Sequence, residues 1–125
     1  MVGFTMFSMI LKETGQWIGR LGPWKPEGWP GNEVGWGVAR EFQGQGYAFE
    51  GAAATIDYVF DVLGWDDIIH CIDPKNKRSE KLAAALGSKN QGPTQMPAPY
   101  EDVQVNCWSQ TKEEWKSNIG SRQER

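Results

Sequence analysis

EVGWGVAREFQGQGYAFEGAAATIDYVFDVLG, from Glu33 to Gly64, is the stretch on which the fold turns. Its first residues alternate as a short strand, Val34 to Val38. Val34, Trp36 and Val38 share one face, and Glu33, Gly35 and Gly37 the other. Glycines along one strand face point to close approach by a backbone or a ligand. The strand runs into a glycine-rich turn, Gln43-Gly44-Gln45-Gly46-Tyr47-Ala48, and a helix follows directly. Successive backbone N–H groups at a helix N-terminus form an anion site without any side-chain charge. The turn carries none.

Two familiar anion loops are excluded. A Walker loop requires Lys and then Ser or Thr after its last glycine, where this chain has Tyr47-Ala48. The dinucleotide fingerprint requires a third glycine at the place held by Phe49. The spacing Gln43-x-x-Gly46-x-Ala48 instead resembles the pyrophosphate loop of the GNAT superfamily of acyl-CoA N-acyltransferases.

Downstream, the helix from Tyr47 to Leu63 places Phe49, Ala53, Ile56, Phe60 and Leu63 at helical spacing. A second row, Tyr47, Gly51, Ala54, Tyr58 and Val62, widens that face, and Gly64 reads as the C-cap. Ile68 to Ile72 is a short buried strand in which His70 is either a hydrogen-bonded core residue or a base. Asn76 reads as the N-cap of a helix to Leu86, with Ser79 at its third position and Gly87 as its stop. Gln91 to Tyr100 is a Pro-rich connection with room for a short strand around Met96. Val103 to Trp108 alternates as a last strand, and Thr111 to Glu114 is a capping box opening a short helix. Residues from about 120 onward should fray.

Upstream, Phe4 to Leu11 is apolar on both alternating faces and reads as a strand buried on two sides. Glu13 to Gln16 is a hairpin turn, and Trp17 to Leu21 the returning strand. Gly22 to Gly31, GPWKPEGWPG, is expected as an ordered loop because its prolines interrupt every helical or central-strand window. Its Trp24 and Trp29 either pack over apolar neighbours or line an acceptor pocket.

At 125 residues the chain is read as one domain, residues 1–125. A net charge of −3 and a pI of about 5.1 give no footprint for nucleic acid or an anionic membrane. No apolar run approaches the roughly 20 residues of a membrane span. Cys71 and Cys107 have neither metal spacing nor a disulfide framework, which suits reduced thiols in the cytoplasm.

Taken together, the chain resembles a GNAT acetyltransferase, nearest the ribosomal-protein N-terminal acetyltransferase branch. The resemblance rests on Ile18-Gly19-Arg20, Pro26 to Pro30, Glu33 to Trp36, Gln43 to Ala48 and Asp73-Pro74-x-Asn76-x-x-Ser79 before Leu86-Gly87. It implies an α/β (α+β) fold: a mixed, mostly antiparallel, splayed sheet flanked by helices. It implies acetyl-CoA as co-substrate and no metal. Gln43, Gly44, Gln45, Gly46, Tyr47 and Ala48 would hold the pyrophosphate. Trp36, Gly37 and Val38 would lie along the pantetheine arm, and Asn76 would contact that arm. The implied reaction is direct attack by a primary amine, of a small molecule or a peptide N-terminus, on the thioester.

Glu33 matches the position of the family's base, though an exposed charge at a strand end would read the same way. Ser79 is the candidate acid, since the tyrosine that many relatives carry in this helix is absent. Such relatives have a strand and two helices ahead of the strand equivalent to Phe4–Leu11, walling the acceptor site, and this sequence lacks them. Two expectations follow. One is a homodimer through Phe4, Met6, Phe7 and Met9. The other is a competing class, a non-catalytic acyl-CoA-binding or assembly module.

Overall fold

The computed structural model describes residues 7–10, 14–25, 28–38, 43–44 and 46–123, with side chains from residue 9 to residue 118. Six strands and three helices follow in the order β1 (Phe7–Ile10), β2 (Trp17–Trp24), β3 (Glu33–Val38), α1 (Tyr47–Asp61), β4 (Asp67–Ile72), α2 (Lys77–Ala85), β5 (Lys89–Thr94), β6 (Val105–Thr111) and α3 (Lys112–Gln123). The strands form one sheet in the order β1-β2-β3-β4-β6-β5. Every neighbouring pair is antiparallel except β3 and β4. This is the mixed, mostly antiparallel sheet expected from the sequence.

The parallel pair is the exceptional place. Among the described residues β3 and β4 share a single register pair, Glu33↔Ile69. The Ile69 amide donates to the Asn32 carbonyl at 2.9 Å. Beyond that point the strands part, so the sheet is splayed in its middle.

α1 packs against β2 and β3. Ala52, Ile56, Val59 and Phe60 meet Val34, Trp65, Ile68, Leu86 and Trp115 in the main core. The buried stripe therefore runs through Ala52, Thr55, Ile56, Val59 and Phe60. The row Tyr58–Val62 instead faces water, with Val62 66% exposed. A helix presents one stripe to a flat sheet, so an apolar row two residues off that stripe turns outward. Gly51 sits where a Cβ would press on Leu21, which lets the helix lie close. At the other end Gly64 is left-handed (φ 73°) and the Trp65 amide reaches back to the Val59 carbonyl at 3.0 Å.

α3 is tied to α1 by side chains. Trp115, 1% exposed, donates its indole N–H to Asp57 at 2.8 Å. Lys116 pairs with Asp61 at 2.6 Å. The capping box is reciprocal: the Glu114 amide donates to Thr111 Oγ1 (3.1 Å) and the Thr111 amide to Glu114 Oε1 (2.9 Å).

Four local expectations are corrected. β2 continues through Gly22 and Pro23 to Trp24, where a loop was expected; Pro23 is buried opposite Val34. The described pairing with β1 ends at Leu21, so on that side Pro23 has no ladder position to fill. β5 is Lys89–Thr94, starting before the expected connection and taking up its first residues rather than lying around Met96, and its Pro93 sits on the sheet's outer strand. β6 begins and ends later than expected, at Val105 and Thr111, because its register is set by β4. β1 is not buried on both faces: Ile10, paired with Trp17, is 48% exposed, as is Trp17. The positions Phe4, Met6, Pro26, Glu27 and Gln45 lie outside the described residues.

Candidate active site

The splay strips backbone partners from both strands, and the site is built from how they are replaced. Along β3, Asn32 turns its carbonyl to β4, so by alternation Val34, Trp36 and Val38 turn their peptide groups the same way. The Val34 carbonyl accepts from His70 Nδ1 at 2.7 Å. On β4, the Cys71 amide donates to Glu33 Oε2 at 2.7 Å. Two side chains thus stand in for the missing ladder.

Glu33 is buried, 7% exposed, and its Oε1 also accepts from the Trp29 indole at 2.7 Å. Burial raises its carboxyl above the ordinary carboxylate range, while the Cys71 amide and the Trp29 indole pull the other way. The reading of Glu33 as an exposed charge at a strand end is therefore corrected. Trp29 in turn stacks edge-on against Trp24 (6.4 Å) and Tyr100 (5.9 Å), so the tryptophan loop both packs and orients the carboxylate.

His70 is a core residue. A carbonyl can only accept, so Nδ1 carries the hydrogen toward Val34 and Nε2 accepts from Ser88 Oγ at 2.9 Å. Ser88 accepts from Gln110 (3.1 Å), whose Oε1 accepts from Asn118 (3.1 Å). Burial pushes His70 down to about 4, so the ring is neutral around pH 7. With both nitrogens committed to partners in the interior, the reading of His70 as a base is set aside.

A cavity of about 220 Å³ opens in the splay, lined by Glu33, Val34, Gly35, Trp36, His70, Cys71, Ile72, Asp73, Asn76 and Ser79. A groove of about 380 Å³ adjoins it, lined by Trp36 to Val38, Gln43, Gly44, Gly46 to Phe49, Asn76, Arg78, Ser79, Lys81 and Leu82. Among the described residues, every one singled out for the coenzyme lines this groove. Both candidate catalytic residues line the cavity. Trp36, Asn76 and Ser79 line both spaces.

The turn has the backbone its glycines predict. Gly44 and Gly46 are left-handed (φ 81° and 83°), and a Cβ on either would meet nothing within 4 Å. Gly46 begins α1, which has no side-chain cap; the first intrahelical bond is from the Glu50 amide to the Gly46 carbonyl, 3.0 Å. A 15-residue helix thus points its positive end into the groove. Gln43 Nε2 donates to the Val38 carbonyl at 3.0 Å and closes the turn. Asn76 caps α2, accepting from the Ser79 amide at 3.2 Å. Ser79 Oγ accepts from the Trp36 indole at 3.2 Å, leaving its own hydrogen to donate.

Of the backbone or ligand approach read from the β3 glycines, the backbone contact is made at Gly19, where a Cβ would collide with the Gly37 carbonyl. Gly37 itself is exposed and open. Arg78 and Lys81 at the groove were missed; two cations on the first turns of the Asn76 helix were the available signal. Among the described residues, no three His, Cys, Asp or Glu could share a metal ion, and no helix is long and apolar enough to cross a membrane.

Comparison with known proteins agrees with this architecture. The acetyltransferase (GNAT) domain family matches residues 2–89. The uncharacterized protein YkkB of Bacillus subtilis is 37% identical over 78 residues, 61% of this chain and 45% of YkkB. The uncharacterized N-acetyltransferase p20 of Bacillus licheniformis is 34% identical over 87 residues, 69% of this chain and 49% of p20. Among solved structures, a GNAT-family acetyltransferase from Bacillus anthracis superimposes with a TM-score of 0.73 at 25% identity, over 87% of this chain and 67% of that one. The fold is also that of the ribosomal-protein-S5-alanine acetyltransferase of Vibrio fischeri (TM-score 0.73, 24% identity, 90% and 63% covered). The chain belongs to the GNAT acetyltransferase family. It spans about half the length of the curated relatives it matches.

Proposed function

We propose that this chain binds acetyl-CoA in the groove and transfers the acetyl group to a primary amine held in the cavity. The carrying observation is that the two spaces adjoin, with Trp36, Asn76 and Ser79 in the lining of both. The residues present suit the coenzyme: left-handed glycines and a helix N-terminus for the pyrophosphate, with Arg78 and Lys81 as further anion partners. When bound, acetyl-CoA supplies an activated thioester.

The protein's own part is positioning and proton handling. Trp36 presents its peptide N–H toward the splay, where it would hold an oxyanion. Glu33, whose affinity for a proton burial has raised, takes the proton of the incoming ammonium, directly or through a water. Ser79, which lines both spaces, would return a proton to the leaving sulfur. We read the site as working in the cytoplasm, in a homodimer that covers the exposed Ile10 and Trp17 pair.

Thiol release from acetyl-CoA against a panel of small amines, polyamines and peptide N-termini tests the reading. Amine-dependent turnover is expected. Tight acetyl-CoA binding without turnover on any acceptor would instead mark a non-catalytic acyl-CoA-binding module.

A further inference from the structure

Cys71 and Cys107 are separated by 36 positions in sequence and lie directly opposite each other in the sheet. The β4–β6 register runs without a bulge from Asp67↔Thr111 to Ile72↔Asn106, and Cys71↔Cys107 lies inside it. Which kind of pair they form follows from Glu33. The Cys71 amide is spent on Glu33 Oε2, on the β3 side of β4, so it does not point at β6. Its neighbour two residues back behaves alike, the Ile69 amide donating to Asn32. Cys71 and Cys107 are therefore a non-hydrogen-bonded antiparallel pair, the closer of the two kinds, with Cα atoms about 4.5 Å apart. Disulfides span Cα separations of about 4.4–6.8 Å.

Directly opposed residues share a sheet face. On that face both thiols feel the charge of Glu33. Cys71 lines the cavity, with the Glu33 charge beside its thiol. Both cysteines are reduced and half-buried.

We propose that Cys71 and Cys107 are a dithiol couple that closes to an intrachain cross-strand disulfide beside Glu33, with a small-molecule disulfide as oxidant. One protein thiolate attacks the small disulfide, forming a mixed disulfide and releasing one small thiolate. The second protein thiolate attacks the protein sulfur of that mixed bond and releases the other. Two protein thiols are oxidised, the small disulfide is reduced to two thiols, and the two protein protons end on them. Closure also removes a free thiol from beside Glu33.

Burial and the facing Glu33 charge hold both thiols up, so exchange on the native chain is slow near neutrality. The test therefore uses the folded full chain with prolonged exposure to oxidised glutathione at about pH 9, where the small thiolate fraction of both cysteines is about 100-fold larger than at pH 7. After acid quench, denaturation and alkylation, intact mass and a peptide map are read.

The expected result is loss of two hydrogens, no alkylation, no retained glutathione, and a Cys71 peptide linked to the Cys107 peptide of the same chain. Dithiothreitol should reverse it. Cys107→Ser should leave Cys71 free or as a glutathione adduct. Two alkylated thiols after prolonged oxidation, glutathione on each cysteine without a link, or links between copies would overturn the proposal. Should Cys107→Ser not fold, the wild-type map decides alone.

Discussion

The two halves of the splay treat the same backbone problem in opposite ways. Near its base, the Cys71 amide and the Val34 carbonyl lose their strand partners and gain side chains in their place, Glu33 and His70. Toward its mouth, Trp36 and Gly37 border an open groove, and the glycine turn faces the same space. A buried peptide group left unpaired costs about 1–3 kcal/mol, so the base must be sealed by the protein itself. The mouth is reachable from solvent and can be completed by a ligand. One strand separation thus supplies both a rigid anchor for a carboxylate and an open edge that the proposed coenzyme arm can use.

The sharpest way to break the open half is Gly46→Pro. Proline fixes φ near −65°, whereas Gly46 sits at 83°, and the substitution also removes the amide of a residue that lines the groove. Acetyl-CoA binding by calorimetry should fall at least about 100-fold, the equivalent of roughly 3 kcal/mol. Gly46→Ala should fall far less, because its Cβ would meet nothing and only the left-handed penalty of roughly 1–2 kcal/mol remains. Equal affinity for acetyl-CoA and for dephosphorylated pantetheine would remove the turn from the phosphate site.

Within the sealed half, Glu33→Gln separates chemistry from architecture. Glutamine keeps an acceptor for the Cys71 amide but cannot take a proton. Turnover should drop roughly 10²–10⁴-fold with coenzyme affinity nearly unchanged. An equal loss of affinity would make Glu33 a structural plug.

How much of this was legible differs between the halves for a physical reason. The open half is local: Gln43 to Ala48, the strand before it and the helix after it are contiguous, and glycine spacing carries their backbone demands. Asn76 capping Ser79 is local as well. The sealed half depends on which strand lies beside which. Nothing in the spacing of Glu33 and Cys71 announces that the carboxylate replaces a strand partner 38 residues on. Pro23 misled for a related reason, since a proline forbids a strand only where a neighbour needs its N–H. The apolar row ending at Val62 misled because periodicity shows that a face is apolar, not how wide the sheet beneath it is.

His70 gives the sealed half a pH signature. Its ordinary value of 6.5 is lowered to about 4 by burial, so the unfolded chain binds the proton more readily across that window. Stability should therefore be full above pH 6.5 and lost as pH falls toward 4, by about 3 kcal/mol. Glu33, raised by burial, works in the opposite sense, gaining stability as it protonates. Denaturant midpoints of wild type and His70→Gln across this range separate the two. The variant should lose the acid-side decline; an unchanged slope would assign it elsewhere.

The smallest effect belongs at the boundary, where Trp36 faces both halves. Its ring lies 4.6 Å from His70 on the sealed side, and its indole N–H donates to Ser79 at the wall shared with the groove. Trp36→Phe keeps an aromatic ring beside the histidine and deletes the donor. A single neutral hydrogen bond of this kind contributes about 0.5–1.5 kcal/mol, and Ser79, half-exposed, regains water as a partner. The stability loss should stay near 1 kcal/mol, a modest shift in midpoint. If the boundary merely divides the spaces, acetyl-CoA affinity should move by less than about tenfold, since tenfold already requires 1.4 kcal/mol. A larger loss of affinity, with stability unmoved, would mean that the indole itself grips the coenzyme and that Trp36 belongs wholly to the open half.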